Sequence, residues 1–294
     1  MMRTPAELKS GKTHRDENFP VASFVIHPRH RGIILAFYRF ARAADDIADH
    51  ASASVQEKLA LLDEMQLALL GRSDAVPESV ALRAMLAARG FSADHPLDLL
   101  EAFRRDVTKL RYRDWDDLMD YCRVSAMPVG RFVLDVHGEP RATWPASDAL
   151  CAALQIINHL QDCAEDYRNL DRVYIPLDGL TERGIGPESL DAPRSSPALL
   201  AVIAALARRT SELLVRAKPF ASQIRDRRLA FEVSVIQALA EDLVRTLVHR
   251  DPLSERVHHR GNEVARIAIF TAARFIGGGF RSKLHAPETA DGRR

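Results

Sequence analysis

The segment FARAADDIADH, residues 40–50, gathers three aspartates in a stretch that otherwise has the composition of a buried helix. The residues just before it are mostly large and apolar, among them Ile33, Leu35 and Phe37. Charged side chains usually lie on the solvated face of a helix. These carboxylates are therefore either an ordinary exposed helix end or the lining of a cavity that holds a positive charge.

Composition bounds the class of protein. The chain has 294 residues, 47% hydrophobic and 28% charged, which is typical of a folded protein and not of a disordered one. One domain of this length buries about 75% of its unfolded surface, enough for a core with an internal cavity. The formal net charge of +1 gives no electrostatic reason to expect a nucleic-acid partner.

Cysteine usage and the chain ends indicate the compartment. Cys122, Cys151 and Cys163 are odd in number and lack CxxC spacing, so we expect reduced, buried thiols. The first twenty residues contain no apolar signal-peptide region, and no run of about 18 apolar residues indicates a membrane-spanning helix. We expect a cytoplasmic protein.

Helical periodicity dominates the chain, and no convincing alternating strand is present. Pro128 is expected to kink one of the helices, and residues 189–197 form an inter-helix loop and not a domain boundary. We predict a single all-α domain over residues 1–294, with flexible ends at 1–13 and 284–294. The expected helices cover residues 28–50, 54–71, 78–90, 96–110, 114–138, 146–170, 198–224 and 229–248.

The first acidic stripe lies on the helix that contains the opening segment. Positions i, i+4, i+7 and i+11 share a helical face, and here they are Tyr38, Arg42, Asp45 and Asp49. Two carboxylates one turn apart repel each other, and a divalent cation removes that repulsion. Magnesium takes oxygen ligands from one or two carboxylates and completes its shell with water and substrate phosphate. We expect Asp45 and Asp49 to face inward, and Asp46 to be solvated or, at most, to support the ligands from behind.

A second helix repeats the arrangement with Asn158, Asp162 and Asp166 at i, i+4 and i+8. Glu165 beside them is expected to be solvated. A single Asp-x-x-x-Asp pattern is most often an exposed face. Two such stripes in apolar helices favour a bundle in which facing carboxylates bind a diphosphate through metal ions.

The two stripes resemble the aspartate-rich motifs of the squalene and phytoene synthases, which are head-to-head isoprenoid synthases. FYRFARAADDIAD is similar to the first motif, and NHLQDCAEDYRNLDRVYIP to the second, with its Arg-x-Tyr-x-Pro ending at Arg172, Tyr174 and Pro176. The likeness spans about residues 14–260. Within the family, HRDENFPVAS, DVTKLRYRDWDDLMDYCRVSAMPVGR, LQDCAEDYR and RDPLSERV are most similar to the hydroxysqualene synthase branch of bacterial hopanoid biosynthesis.

The resemblance implies an isoprenoid synthase helical bundle with a central apolar cavity and Mg²⁺ as cofactor. Enzymes of that branch ionise presqualene diphosphate and let water capture the rearranged cation, giving hydroxysqualene and diphosphate. It further implies an isoprenoid diphosphate substrate, with a presqualene diphosphate synthase and a hydroxysqualene reductase as companions. No nucleic acid is expected as a partner.

Site residues follow from the resemblance position by position. The implied magnesium ligands are Asp45, Asp49, Asn158, Asp162 and Asp166. Tyr121 joins the four aspartates as a catalytic residue of the cavity. The implied substrate-binding residues are Asn18, Tyr38, Arg42, Asn158 and Arg172.

Other residues have roles that the sequence leaves open. Lys109 and Arg111 are further candidates for the diphosphate, and Phe37, Phe103 and Phe132 suit an aromatic cavity. The water that captures the cation could be positioned by Tyr121, Ser125 or Asp106. Residues 266–283 are apolar with basic flanks, which fits either a helix packed on the bundle or peripheral contact with the inner membrane face.

Three alternatives fit parts of the pattern. The first is head-to-head condensation of two farnesyl diphosphates. Gln161 stands where condensing relatives usually carry an arginine, and no dinucleotide motif is present, so both weigh against it. The second alternative is an all-α nucleotide pyrophosphohydrolase, which the aspartate spacing disfavours. The third is a non-catalytic binding subunit, which the four intact aspartates disfavour.

Met127 replaces a smaller residue before Pro128 and either narrows the pocket or fills core.

Overall fold

The computed structural model describes residues 27–283, except the side chains of residue 274 and of residues 276–283. The chain ends that were expected to be flexible, 1–13 and 284–294, lie outside the described residues. The described part consists of α-helices and two short 3-10 turns, with one isolated bridge between Arg111 and Val173 and no strand. The helices are α1 (Pro28–Ala48), α2 (Val55–Leu69), α3 (Pro77–Arg89), α4 (Asp94–Thr108), α5 (Trp115–Ser125), α6 (Met127–His137), α7 (Trp144–Gln161), α8 (Cys163–Leu170), α9 (Leu177–Thr181), α10 (Pro197–Ala217), α11 (Phe220–Gln223), α12 (Arg227–Leu247) and α13 (Gly261–Lys283).

Local signals account for where α1 and α3 begin and end. Both helices carry proline at their first position, where the missing N–H costs no hydrogen bond. Gly90 ends α3 in the left-handed conformation, with φ of 67°. Asp49 is the C-cap of α1, and its N–H donates to the carbonyl of Asp45 at 2.9 Å. The first aspartate pair therefore sits on the last turn of a continuous helix.

Three expected helices are interrupted, which corrects the prediction. The helix over 114–138 breaks at Ala126 because Pro128 has no N–H to continue it, and the N–H of Val129 bonds the carbonyl of Ala126 at 3.1 Å. The helix over 146–170 bends at Asp162, where φ is −104° and ψ is 8°. The helix over 198–224 ends at Ala217, shortly before Pro219.

The buried apolar side chains form two clusters. One cluster consists of residues from α1 to α4 together with Phe132 and Val136 of α6. The other consists mainly of residues from α5 to α12, with α7 packed against α6, α10 and α12. The cavities described below are lined by residues of both halves. Met127 packs against the second cluster and lines neither cavity, so it fills core.

The last helix packs on the outside of the bundle. α13 contacts α12, and Phe231 meets Phe275 edge-on with ring centroids 5.6 Å apart. Within residues 27–283, no helix has both the length and the apolar content needed to cross a bilayer. The three cysteines are free, and Cys122 and Cys163 are buried, as predicted, whereas Cys151 is half-buried.

Candidate active site

An apolar cavity of about 440 Å³ lies between α1, α4, α6, α7, α11 and α12. Its wall is closed on one side where α6 approaches α7. A side chain at Gly130 would place its Cβ 2.5 Å from both Cys151 Sγ and Ser147 Oγ, so only glycine permits this approach. The expected central apolar cavity is therefore present. Six of its lining residues are Ile34, Phe37, Tyr38, Phe103, Leu150 and Val233.

A second, polar chamber of about 290 Å³ adjoins the apolar cavity, and both are lined by Asp45 and Phe103. Residues from α1, α4, α5, α7, α8 and the loop after α8 line it. The structure brings all five expected magnesium ligands to this chamber: Asp45, Asp49, Asn158, Asp162 and Asp166. It also brings Tyr121 and Arg172 there, while Tyr38 and Arg42 line the apolar cavity.

Arg42 forms ion pairs with two aspartates of the first motif. Its Nη1 lies 2.9 Å from Asp45 Oδ2, and its Nη2 lies 2.9 Å from Asp46 Oδ1. Asp46 is only 8% exposed, so it is not solvated; it lies behind Asp45 on the same arginine, which is the second of its two expected places. Its position one turn after Arg42 lets the guanidinium compensate a carboxylate that faces the packed side of α1. Glu165, by contrast, is exposed as expected.

Arg172 joins the second motif to the first. Its Nη1 donates to Asp49 Oδ1 at 2.6 Å and its Nη2 donates to the carbonyl of Ala48 at 3.0 Å. Its Nε donates to the carbonyl of Asp106 at 2.9 Å. The guanidinium is almost fully buried, so these bonds fix the end of α1 and the orientation of Asp49. Arg172 therefore positions the first pair as well as lining the chamber.

Asp45 lies where the cavity and the chamber meet. Burial, and after it the neighbouring Asp49 carboxylate, raise the pKa of Asp45 to about 7, while Arg42 acts in the opposite direction. A carboxyl with a raised pKa is stabilised in its ionised form when a cation binds beside it. The site therefore has the chemistry of a cation site.

The second aspartate pair consists of Asp162, which lies at the bend, and Asp166, which lies one turn after it. His258 Nε2 is 3.9 Å from Asp162 Oδ1, and His159 Nδ1 is 3.8 Å from Asp166 Oδ2. Both separations exceed a hydrogen bond. Burial and the nearby Arg256 lower the pKa of His258, so this imidazole is largely neutral near pH 7.

Buried hydrogen bonds hold the segment after α12 against the rest of the bundle. Asp251 accepts hydrogen bonds from the N–H of Ser195 at 3.0 Å and from its hydroxyl at 2.6 Å. Gln161 is buried, lines neither cavity, and donates its amide to the carbonyl of Val257. Gln161 therefore contacts the segment that carries His258. Its position does not support the expectation that it removes a charge from the diphosphate site.

A buried polar network completes the chamber. Asp106, 5% exposed, accepts hydrogen bonds from the hydroxyls of Tyr121 at 2.9 Å and Tyr174 at 2.8 Å. Burial raises the pKa of Asp106 to about 6 and raises the pKa of both phenols well above the ordinary value. His159 stacks on Tyr174 with ring centroids 3.5 Å apart. The sequence analysis predicted Asp106 only as one of three residues that could position the water, and it predicted no role for Tyr174.

The remaining expected residues lie elsewhere. Lys109 pairs with Asp117 at 2.5 Å and Arg111 pairs with Asp171, and neither lines the chamber. Phe132 stacks behind Phe37 at 4.1 Å and does not line the cavity. Asn18 lies outside the described residues.

The donor set fits magnesium and not a closed protein cage. Within residues 27–283, no three Asp, Glu, His or Cys side chains converge as the ligands of a single ion. Magnesium is commonly held by one or two carboxylates, with water and substrate phosphates as its other ligands. Four carboxylates and an amide oxygen around one chamber match that mode.

Sequence comparison agrees with the two motifs and their geometry. The squalene/phytoene synthase family model matches residues 12–263. A hydroxysqualene synthase of Rhodopseudomonas palustris is 62% identical over 271 residues, which cover 92% of each chain. A hydroxysqualene synthase of Sinorhizobium fredii is 54% identical, covering 91% of this chain and 96% of the relative.

Solved structures agree as well. The squalene synthase HpnC from Alicyclobacillus acidocaldarius has 30% identity and a TM-score of 0.69, covering 83% of this chain and 91% of that one. A dehydrosqualene synthase in complex with ligand gives a TM-score of 0.76 at 19% identity, a likeness of fold alone, over 93% of this chain and 96% of that one. The resemblance carried by the two aspartate motifs is confirmed, and the chain belongs to the squalene/phytoene synthase family.

Proposed function

We propose that this protein is a magnesium-dependent enzyme that converts presqualene diphosphate and water to hydroxysqualene and diphosphate. The observation that carries the proposal is the pairing of an apolar cavity with a polar chamber at Asp45. Such a substrate has two parts, a long isoprenoid chain and a diphosphate, and each part matches one of the two spaces. Relatives named hydroxysqualene synthase at 62% and 54% identity support the choice of reaction.

The diphosphate end belongs in the polar chamber. When bound there, magnesium supplies Lewis-acid stabilisation of the negative charge that develops on the leaving diphosphate. The residues that would hold it are Asp45, Asp49, Asn158, Asp162 and Asp166. Arg42, which borders the chamber through its bond to Asp45, contributes fixed positive charge near the same end. Arg172 acts mainly by orienting Asp49, because three of its donors are already engaged.

The hydrocarbon end belongs in the apolar cavity. A carbocation formed by loss of diphosphate must be kept from random water, and a wall of aliphatic and aromatic side chains does this. Phe37 and Phe103 line the cavity, and the face of an aromatic ring can also stabilise a cation. Tyr38 lines the same cavity and combines an apolar ring with a polar hydroxyl.

The partners follow from the same chemistry. A presqualene diphosphate synthase would supply the substrate, and a hydroxysqualene reductase would consume the product. Both compounds carry a long apolar hydrocarbon chain, which favours an enzyme that works at the inner membrane face. On α13, Ile269 is 72% and Phe270 is 65% exposed, and Arg266 is exposed nearby. Co-flotation with vesicles containing anionic lipid tests this contact, and Ile269→Asp should abolish it; protein that stays in solution would contradict it.

Product analysis tests the main proposal. Purified protein with Mg²⁺ and without nicotinamide is offered presqualene diphosphate and farnesyl diphosphate in separate reactions. We expect hydroxysqualene and diphosphate from the first and no product from the second. Presqualene diphosphate or dehydrosqualene from farnesyl diphosphate would instead identify a condensing synthase.

Two variants serve as controls for that assay. Asp45→Asn should be inactive and should lose the Mg²⁺-dependent thermal stabilisation that a diphosphate analogue gives the parent enzyme. Glu165→Gln should behave as the parent enzyme, because Glu165 is exposed and lies outside the chamber. An active Asp45→Asn enzyme would contradict the site.

A further inference from the structure

One buried hydroxyl in the polar chamber is left without a partner. Ser125, the last residue of α5, is 9% exposed, and its Oγ makes no hydrogen bond to any described group. A hydroxyl can donate one hydrogen bond and accept two, and burial without any of them has a cost in stability. The side chain lines the chamber that also contains the aspartates. A bound polar molecule would supply the missing bonds.

The break between α5 and α6 places Ser125 at the end of a helix. In an unbroken helix the carbonyl of Val124 would accept from residue 128, which is Pro128 and has no N–H. The N–H of Val129 turns instead to the carbonyl of Ala126. Ser125 therefore occupies the open end of α5, where the helix stops against the chamber.

Tyr121 lies one turn before Ser125 on the same face of α5. Its hydroxyl hydrogen is committed to Asp106 Oδ2 at 2.9 Å, so its oxygen keeps lone pairs that can accept. The chamber of about 290 Å³ exceeds the roughly 30 Å³ of one water, even with a diphosphate group at its acidic end. A water here would have two polar partners on one helix face, which meets the requirement for an ordered internal water.

We propose that Ser125, together with Tyr121, holds the water molecule that attacks the substrate cation. This rests on the proposed function and gives separate roles to the three residues that the sequence left open. The polar chamber and the apolar cavity meet at Phe103 and Asp45, so the water lies on the polar side of the boundary. Its hydrogens point to Ser125 and Tyr121, which leaves an oxygen lone pair for the cation.

The step balances within the chamber. Loss of diphosphate breaks the carbon–oxygen bond, and both electrons leave with the diphosphate. The water oxygen then donates a lone pair to the cationic carbon and forms the new carbon–oxygen bond. One of its O–H bonds breaks, and the proton passes to the Tyr121 oxygen while the Tyr121 proton moves to Asp106 Oδ2.

The test is the product distribution of Ser125→Ala. Without a positioned water the cation loses a proton from carbon, so unsaturated hydrocarbon should replace alcohol. We expect the ratio of alcohol to hydrocarbon to fall about tenfold, the effect of losing one such hydrogen bond. The rate of diphosphate release should stay within about twofold, because ionisation does not need this water. Ser125→Thr keeps the hydroxyl and should retain most of the alcohol.

Matched serines provide the controls. Ser79 on α3 is also buried and has an unpartnered Oγ, but it lines neither cavity, so Ser79→Ala should leave the product ratio unchanged. Ser147→Ala removes a hydroxyl from the apolar cavity instead. A shift in products with Ser147→Ala and none with Ser125→Ala would overturn the assignment, because the water would then lie in the other space.

Failure of the two proposals can be told apart. If the parent enzyme forms no alcohol from presqualene diphosphate, the proposed function itself is wrong. If it forms alcohol and Ser125→Ala gives the same ratio, only the role of Ser125 is wrong. Reactions in ¹⁸O-labelled water should place the label in the alcohol, and an unlabelled alcohol would exclude capture of water altogether.

Discussion

The two aspartate pairs face the same chamber but are held in different ways. Asp45 and Asp49 lie on the last turn of a continuous helix, and each has an arginine within hydrogen-bond distance. Asp166 follows a bend in the chain, and its histidine contact is 3.8 Å long. The first pair is thus oriented by fixed charge before any ligand binds. Asp166 is therefore the aspartate whose orientation depends more on the ligand.

Among the variants that test this contrast, one that removes Asp166 from the second pair should have the largest effect on catalysis. We expect Asp166→Asn to lower kcat/KM by about 10³-fold, because it removes charge that holds the metal and diphosphate in the transition state. Asp49→Asn should also be impaired, but it should retain more of the Mg²⁺-dependent thermal stabilisation, since Asp49 shares its charge with Arg172. Thermal shifts with and without Mg²⁺ measure the difference, and equal losses would contradict it.

Removing the arginine that anchors the first pair should mainly affect stability. Arg172→Met deletes three hydrogen bonds from a buried guanidinium and removes the donor to the carbonyl of Asp106, while the carbonyl of Ala48 keeps its bond from Lys58 Nζ at 2.8 Å. We expect the free energy of unfolding to fall by about 3 kcal/mol. Arg111→Met is the control, because its partner Asp171 is exposed and such pairs contribute about 1 kcal/mol or less. Equal losses in urea unfolding would show that Arg172 is not an anchor.

The buried carboxyl of Asp106 should make the stability of the protein depend on pH. The folded-state pKa of Asp106, about 6, lies above its ordinary value of 3.8, so the folded protein binds more protons between these values. The stability of the parent relative to Asp106→Asn should therefore decrease by about 2 to 3 kcal/mol as pH rises from 4 to 7. Urea unfolding of both proteins across this range measures it, and a constant difference would contradict the shift.

Replacing His258, the histidine beside Asp162, should have the smallest effect on catalysis. His258 is largely neutral near pH 7 and lies 3.9 Å from Asp162, so the pair resembles a weak ion pair. We expect His258→Gln to change kcat/KM by less than about fivefold. A loss of more than a hundredfold would mean that both pairs are held equally firmly, and the contrast between them would be lost.

The sequence predicted most of the helices because their signals are local. Prolines at first positions, a glycine at Gly90 and regular apolar spacing are read within a few residues. The break at Ala126 was placed only approximately, as a kink at Pro128. The bend at Asp162 was missed, since backbone hydrogen bonds continue through it and the residue types there suit a helix.

The site was predicted in part for the same reason. Periodicity correctly put Asp45 and Asp49 on one face, but it could not show that Arg42 would also compensate Asp46 and allow its burial. Asp106 and Tyr174 are 68 residues apart, so no pattern along the chain brings them together. The clue to Asp106 was an acid in the otherwise apolar face of α4, and the clue to Ser125 was its place before a helix-breaking proline.

The Arg172 contact with Asp49 also bears on how the protein reaches its working state. These residues are 123 positions apart, so this contact closes a long loop. Long-range contacts form late when their closure entropy must be met by other native interactions. A chain that has folded only its first four helices contains Asp45 and Asp49 but lacks the arginine that orients the latter. Recovery of activity during refolding should therefore lag behind recovery of helix content, and it reports assembly of both halves of the chain.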